Sequence, residues 1–574
     1  MTSSDRGRRA AGAALVFLAG LALFAWGASQ RTAWRTDELR YLEVSREMSL
    51  PDGSLIVPQL AGKRYEHKPP GFFWATLALQ RGLGLELEPA GKGVSVVSAA
   101  ASLALVYGLA ASMGGVPAGL AAAAVLASAQ LYASLAMRAN LDGLLAALVT
   151  AALWAFARAE GVAGAPVRHA AWLRLLAGGL CGLALLVKGP VALGIPAAVV
   201  LAFAALHRGA VRLRSWLPAV AASAVPGLVW LAFARAEAGP HYVSNLVLGH
   251  GVAHPLGLVS KLQPFWYYLE QLPLGFLPWS LMIPAAALLA WQRRARSAGD
   301  AFALAWALAP VVLLSLFPAK RHLYLLPVYP GIALLVGRWL AWWREPDAPP
   351  GPALRWASLA GLRATGALVL VASLAAVALH RDPGRIPGWH LAQIEGLATP
   401  FERVALLLSL GLAATVGAVL LSSRSRRTAF GGGFALASAT LLLLLAVVHP
   451  LQSAGNDSAD FYAEVAKQVE GDRVVVLEGT DFAPELQLPD TTIHRVFEAH
   501  EVLAPRFRTG PDRELWLIAE EPHLRRSQAR GEFETVLRHE SPLGKTLLLL
   551  RVGDAPAGGA GPEGEAASPD GRRG

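Results

Sequence analysis

The sequence predicts a polytopic α-helical membrane protein of about thirteen transmembrane helices, followed by a small α/β domain outside the bilayer. Three observations carry this reading. Of 574 residues, 54% are hydrophobic and only 16% charged, with a mean hydropathy of +0.43, whereas soluble domains hold about a quarter charged residues. Thirteen apolar runs approach the roughly 20 residues that a spanning helix needs. Charge is also segregated: residues 450–574 hold 14 Lys+Arg and 22 Asp+Glu, net −8, which leaves residues 1–449 at net +18. An ordinary globular core, disorder and a collagen-like fibre are thereby excluded. The basic balance does not point to nucleic acid, because the excess is mostly arginine set between apolar runs. The single cysteine, Cys181, lies in an apolar run, which excludes disulfides and thiolate metal sites.

Taken in order, the runs are 11–28, 92–112, 115–136, 140–158, 170–187, 190–206, 216–234, 270–291, 300–317, 322–340, 356–378, 400–422 and 430–448. The stretch Gly71–Gly84 is shorter and contains Arg81, and so reads as an interfacial or re-entrant helix. With the N-terminus inside, Arg6, Arg8, Arg9, Arg158, Arg168, Arg174, Arg208, Arg212, Arg214, Arg293, Arg294, Arg296, Arg344, Arg355, Arg424, Arg426 and Arg427 all fall on cytoplasmic connections. Met1–Ala28 resembles a signal peptide only weakly, and is kept as the first span. Residues 1–449 then form the membrane domain, with external loops over 29–91 and 235–269. Residues 450–553 alternate short strands (Arg473–Leu477, Glu514–Ala519, Thr546–Val552) with helical stretches such as Ser458–Glu470, as an external α/β domain would. Residues 554–574, rich in Gly, Pro, Ala and Glu, read as a disordered tail.

Acids are scarce in the membrane domain, so their positions are informative. The first loop opens Thr36-Asp37-Glu38-Leu39-Arg40-Tyr41, a short amphipathic interfacial helix by its pattern. Asp37 and Glu38 at its start suit a helix N-terminus as well as they suit chemistry. Before Gly71 stands His67-Lys68-Pro69-Pro70, and the two prolines hold Lys68 at a fixed point on the membrane face. A lysine so placed serves as a phosphate contact or as a headgroup anchor. Arg138 and Asp142, four apart, can pair on one helix turn, but ionisable groups at a span end facing a cavity are functional candidates. Lys188-Gly189-Pro190, Lys320-Arg321-His322 and the second loop's Asn245, His250, His254 and Lys261 fall on the same external face. One carboxylate set with several isolated cations on one face suits an anionic lipid-linked substrate.

At these residues the sequence resembles the GT-C-fold polyprenyl-phosphate-sugar glycosyltransferases, the lipid A aminoarabinose transferase and protein O-mannosyltransferase type. The stretches that carry the resemblance are TDELRYLEVSREM, RYEHKPPGFFW, RANLDG, LLVKGP, QPFWYYLEQLPLGFLPW and FPAKRHLYLLPVYPGIALL. They run through the membrane half in order. The resemblance implies transfer of a sugar from a polyprenyl phosphate to an acceptor, lipid A-like or protein, on the periplasmic face of a bacterial inner membrane. Asp37 matches the first-loop aspartate, as general base or acceptor-orienting group, and Asp142 the second acid. Lys68 matches the lysine that holds the lipid phosphate. Arg138, Lys188 and Lys320 are further candidates for the phosphate or sugar, and Glu38, Tyr41 and Arg321 complete the set. One departure stands out: where the family often places an acid before Lys-Pro-Pro, in the aminoarabinose transferase a zinc ligand, this chain has His67. His250 is its candidate partner for a structural zinc or other divalent cation.

The implied chemistry asks little of a cofactor, since cations stabilise a departing phosphate and one carboxylate serves the acceptor. The expected reaction is therefore a metal-independent displacement with inversion. The competing class is a transporter or flippase of an anionic lipid-linked substrate. Transporters place polar groups near the bilayer midplane on broken helices, whereas here they gather at one face.

Overall fold

The computed structural model describes residues 3–381 except 163, 165–168, 210, 254–261 and 348, then 411–448 except 414, 418, 421, 422 and 424. Beyond these it describes 458–469, 473–477, 488, 493–496, 515–526, 533–540 and 546–552. The chain divides into two units, Met1–Asp457 and Ser458–Gly574. The expected tail 554–574 lies outside the described residues.

The first unit is helical. Its elements are α1 (Ser3–Ser29), α2 (Thr36–Ser49), the two-residue strands β1 (Gln59–Leu60) and β2 (Lys63–Arg64), α3 (Gly71–Leu83), α4 (Leu87–Ser128), α5 (Gln130–Ala136), α6 (Leu141–Ala159), α7 (Ala170–Lys188), α8 (Val191–Leu206) and α9 (Leu217–Ser244). There follow α10 (Tyr267–Gly275), α11 (Ile283–Arg293), α12 (Ala298–Ser315), a 3-10 segment His322–Val328, α13 (Tyr329–Arg344), α14 (Pro352–Arg381) and α15 (Arg426–Leu443). Among the described residues nine helices are long and apolar enough to cross a membrane, or ten if one bent pair counts as a span. This is a multi-span membrane protein.

The number of uninterrupted spans is smaller than the thirteen expected, for local reasons. The runs 92–112 and 115–136 share one helix, α4, interrupted at Gly114 and Gly115 (φ +79°), and α4 stops at Ser128 before the separate α5. The run 190–206 becomes α8, at 16 residues short for a span. The run 270–291 bends by 113° between α10 and α11. Pro273 and Pro278 there lack amide donors and disfavour helical geometry before them. The run 400–422 lies largely outside the described residues.

Links at alternate helix ends divide the charges. Arginines of the expected cytoplasmic set flank or occupy the α6/α7 (Arg158, Arg174), α11/α12 (Arg293, Arg294, Arg296) and α13/α14 (Arg344, Arg355) links. Several of them meet acids: Arg174 bonds Glu160 at 2.8 Å and Arg293 meets Asp300 at 3.4 Å. The candidate site residues stand in or beside the α1/α2, α2/α3, α5/α6, α7/α8 and α12/α13 links.

The second unit holds a five-stranded sheet of β3 (Arg473–Leu477), β4 (Ile493–Val496), β5 (Leu515–Glu520), β6 (Phe533–Glu540) and β7 (Thr546–Val552) in the order β4-β3-β5-β7-β6. β3 runs parallel to β4 and β5, while β7 runs antiparallel to β5 and β6. Val475, Leu517 and Leu550 lie in one row across the sheet and belong to its buried core. The edge strand β6 mixes polar and apolar residues and stays largely solvated. Helices Ala459–Gln468 and Glu521–Arg526 accompany the sheet.

Candidate active site

Two structures hold the first loop in place. The link from α1 to α2 is fixed by buried Arg31, which donates to both oxygens of Glu38 at 2.7 and 2.6 Å and to the Met137 carbonyl at 3.1 Å. Glu88 accepts from the Ala33 amide at 2.8 Å. The rest of the loop leans on α9: Trp230 donates to the Ile56 carbonyl at 2.9 Å and Arg64 to the Ala238 carbonyl at 2.8 Å. Between them the β1–β2 turn, with Ala61 and Gly62 at positive φ, donates both its amides to the Glu47 carboxylate. Burial, with Glu43 close by, pushes the Glu47 carboxyl up to about 7.

Lys68 then enters beside Lys188 because α3 docks closely on the end of α7. A Cβ added at Gly71 would stand 2.7 Å from the Leu186 carbonyl oxygen. The two lysines line a cavity of about 430 Å³ with His67, Pro69, Leu145, Gly189, Trp230, Tyr268, Phe317 and Tyr324, most of its wall being apolar. Size and lining match a ligand pocket with a few fixed polar groups. Lys188 pairs with Asp142 and lies 4.3 Å from the centre of the Tyr324 ring. Asp142 itself is buried in the first turn of α6, behind an Asn140 cap that accepts from its amide at 2.7 Å. Lys68 makes no ion pair or hydrogen bond among the described residues, and burial, reinforced by Lys188, pushes its ammonium down to about 8.

Asp37 lies in the first turn of α2 and accepts from Arg321 at 2.7 Å, with Arg40 at 3.6 Å. Burial works to raise this carboxyl, but Arg321, Arg40 and Lys188 outweigh it and hold it below the ordinary value. It is therefore ionised throughout the neutral range.

The structure thus brings Lys68 and Lys188 to one cavity, with Asp142 paired to Lys188 and with Asp37 and Arg321 joined as a pair three residues before Tyr324, which is in the cavity wall. Other expected residues stand elsewhere. Glu38 is fully buried and spent on Arg31 and on the Ala139 amide at 3.2 Å. Tyr41 is packed against Phe72 and Phe73, ring centres 5.9 and 6.2 Å away. Lys320 is buried and donates to the Gln263 carbonyl at 3.2 Å, clamping two links together rather than lining the cavity. Arg138 lines a separate, smaller pocket. His67 does line the cavity, its ring 5.1 Å from that of Tyr65. The side chain of His250, with His254 and Lys261, lies outside the described residues. Glu66 is engaged by the Asn245 amide at 3.0 Å, and among the described residues no three His, Cys, Asp or Glu converge as a metal site would require. The described residues do not assemble a zinc site.

Sequence reasoning did not single out Tyr324 or Arg35. Tyr324 stands in a quoted motif, but its stacking on Lys188 is a tertiary contact with no local signal.

Comparison with known proteins agrees with this architecture. Two crystal structures of ArnT from Cupriavidus metallidurans, one bound to undecaprenyl phosphate and one in the apo state, align with TM-scores of 0.71 and 0.70 over 94% of this chain and 98% of theirs, at 18% and 20% identity. The fold is shared with ArnT. Residues 67–232 match the family described as dolichyl-phosphate-mannose-protein mannosyltransferase. The undecaprenyl phosphate-alpha-4-amino-4-deoxy-L-arabinose arabinosyl transferase of Edwardsiella ictaluri is 30% identical over 364 residues, covering 62% of this chain and 63% of the relative. A second arabinosyl transferase of that name, from Proteus mirabilis, is 31% identical over 337 residues, 57% of this chain and 59% of the relative. The chain thus matches about three fifths of the length of these relatives. The resemblance read from the motifs is borne out.

Proposed function

We propose that this chain is a glycosyltransferase of a bacterial inner membrane. It moves a sugar from a polyprenyl phosphate to a lipid or protein acceptor on the periplasmic face, with its N-terminus cytoplasmic and its α/β unit periplasmic. The observation that carries this reading is Lys68, a cation without an acid partner among the described residues, lining a largely apolar cavity. An apolar wall suits the start of an isoprenoid chain, and the ammonium suits the phosphate at its head.

In the reaction the bond between the anomeric carbon and the phosphate oxygen breaks as the acceptor oxygen attacks from the opposite face, which inverts the centre. Lys68, with Lys188 behind it, receives the charge that grows on the leaving phosphate. Asp37, kept ionised by Arg321, orients the acceptor and takes up its proton where there is one to lose. The site cations lie at helix ends and links, not at mid-helix, which supports a transferase over a transporter.

The test is sugar transfer from labelled undecaprenyl-phosphate donor in nanodiscs. Lys68→Ala and Asp37→Asn each lower the rate by about 100-fold or more at normal expression. Wild-type rates in both variants would overturn the proposal.

A further inference from the structure

Glu47 is a buried acid to which the reaction gives no part. It stands in the last turn of α2 and is 6% exposed, one helical turn after Glu43, which is fully buried. Arg46 answers Glu43 with two bonds of 2.8 Å. The Glu43 and Glu47 carboxyls are hydrogen-bonded to each other. Two carboxylates at that range repel, so one proton lies between them. Burial, with Glu43 beside it, raises the Glu47 carboxyl to about 7, so Glu47 holds the proton into the neutral range.

The rest of its bonding capacity goes to the β1–β2 turn. Glu47 accepts from the amides of Ala61 and Gly62, the second at 3.1 Å. Both turn residues are at positive φ, +53° and +69°, a backbone that an alanine holds only under outside constraint. The turn sits between the two poles of the site. α2 carries Asp37 at its opposite end, while Tyr65, Glu66 and His67 lead from β2 directly to Lys68. The same segment is tied to α9 by the Trp230–Ile56 and Arg64–Ala238 bonds. We propose that Glu47, sharing a proton with Glu43, is a positioning residue: by fastening the β1–β2 turn to α2 it fixes Lys68 relative to Asp37. The fastening stands on its own geometry, and its consequence for catalysis rests on the glycosyltransferase reading. A glutamine reproduces the protonated acid, its carbonyl oxygen accepting from the turn and its NH2 donating to Glu43, whereas an alanine does neither.

The experiment uses the full chain in phosphatidylcholine nanodiscs. Hydrogen exchange over residues 59–64 reads the fastening, and equilibrium binding of undecaprenyl phosphate reads the placement of Lys68. Glu47→Ala raises exchange in this segment about tenfold, as loss of a hydrogen bond to a buried acid predicts, and weakens undecaprenyl phosphate binding in the same sense. Glu47→Gln keeps both near wild type. Unchanged protection of α6 and α13 shows that the chain is folded, and Glu47→Asp, one methylene shorter, gives the same direction of change if the alanine chain does not fold. Sugar transfer supplies a further distinction. Poorer folding leaves fewer active molecules and an unchanged KM for the donor, whereas a displaced Lys68 raises that KM. Unchanged exchange in Glu47→Ala overturns the fastening. Raised exchange with unchanged donor binding and KM, in a protein where Lys68→Ala still weakens binding, overturns the positioning. A glutamine variant as open as the alanine variant overturns the shared proton. If the wild-type chain transfers no sugar, the glycosyltransferase reading falls, while raised exchange and weakened undecaprenyl phosphate binding in Glu47→Ala still support the fastening.

Discussion

Arg321 donates to Asp37 across 2.7 Å, joining two residues 284 positions apart in the chain. The bond ties the first extramembrane helix to the link between α12 and α13 and sets the charge state of the carboxylate. Removing Arg321 therefore changes chemistry before it changes shape. Arg321→Gln raises the Asp37 pKa, because burial, which opposes ionisation, is then answered only by Arg40 and Lys188. The acid limb of kcat/KM against pH moves to higher pH in this variant, while the rate on the alkaline side is less affected. An unmoved acid limb would show that Asp37 is not the group that titrates.

Lys68 gives the opposite limb. Its ammonium is charged below about 8 and neutral above, so the affinity for undecaprenyl phosphate falls as pH rises through that value. Lys68→Arg keeps its charge and removes this limb. Lys68→Ala weakens binding by roughly 10- to 100-fold at pH 7, the range for one hydrogen bond to a charged group. Equilibrium binding of labelled undecaprenyl phosphate in nanodiscs, measured between pH 6 and pH 10, distinguishes these outcomes.

The Lys188–Asp142 pair is buried on both sides, with side-chain exposures of 9% and 3%. Losing one partner of such a pair leaves a buried charge and costs about 3–5 kcal/mol. Asp142→Asn is therefore expected to lower the unfolding midpoint more than the double variant Asp142→Asn/Lys188→Gln does. A double-mutant cycle in mild detergent reads the coupling directly.

Gly71 tests how the lysines are brought together. A methyl group there meets the Leu186 backbone at 2.7 Å, so Gly71→Ala must move α3 away from α7. Overpacking of this kind costs about 1–3 kcal/mol, and donor affinity falls with stability because Lys68 leaves its place beside Lys188. Gly82, where an added methyl has open space, is the control: Gly82→Ala leaves both quantities near wild type.

Much of this site was legible in the sequence. Asp37, Lys68, Asp142 and Lys188 are conspicuous because charges are scarce in an apolar chain, and each stands at a helix end where a run of apolar residues stops. The strands Arg473–Leu477 and Thr546–Val552 were legible for a similar reason, being short apolar runs among polar neighbours. What could not be read was partnership. Asp37 and Glu38 are adjacent acids with the same local environment, and only the tertiary contacts decide that Arg31 consumes one and Arg321 tunes the other. Lys320 and Arg138 likewise resemble Lys68 in sequence terms, yet one clamps a carbonyl and the other faces a different pocket. Breaks such as Gly114–Gly115 and Pro273–Pro278 divide or bend what hydropathy alone reads as continuous spans, since hydropathy does not register the backbone geometry of glycine and proline.

The α1–α2 link holds a consequence for chain length. It is fastened at Arg31 by Glu38 and Met137 and at Ala33 by Glu88, and α2 begins three residues later. Successive residues in a helix point about 100° apart. One residue inserted between Ala33 and Thr36 would turn α2 by that amount, offering Asp37 to Arg31 and Thr36 to Arg321. Net charge, hydropathy and composition would hardly register the change, yet one acid would have changed posts and Arg321 would have lost its carboxylate. The spacing in this link is thus a counted quantity, to be measured in whole residues, and length variants there are expected to be silent in topology and severe in chemistry.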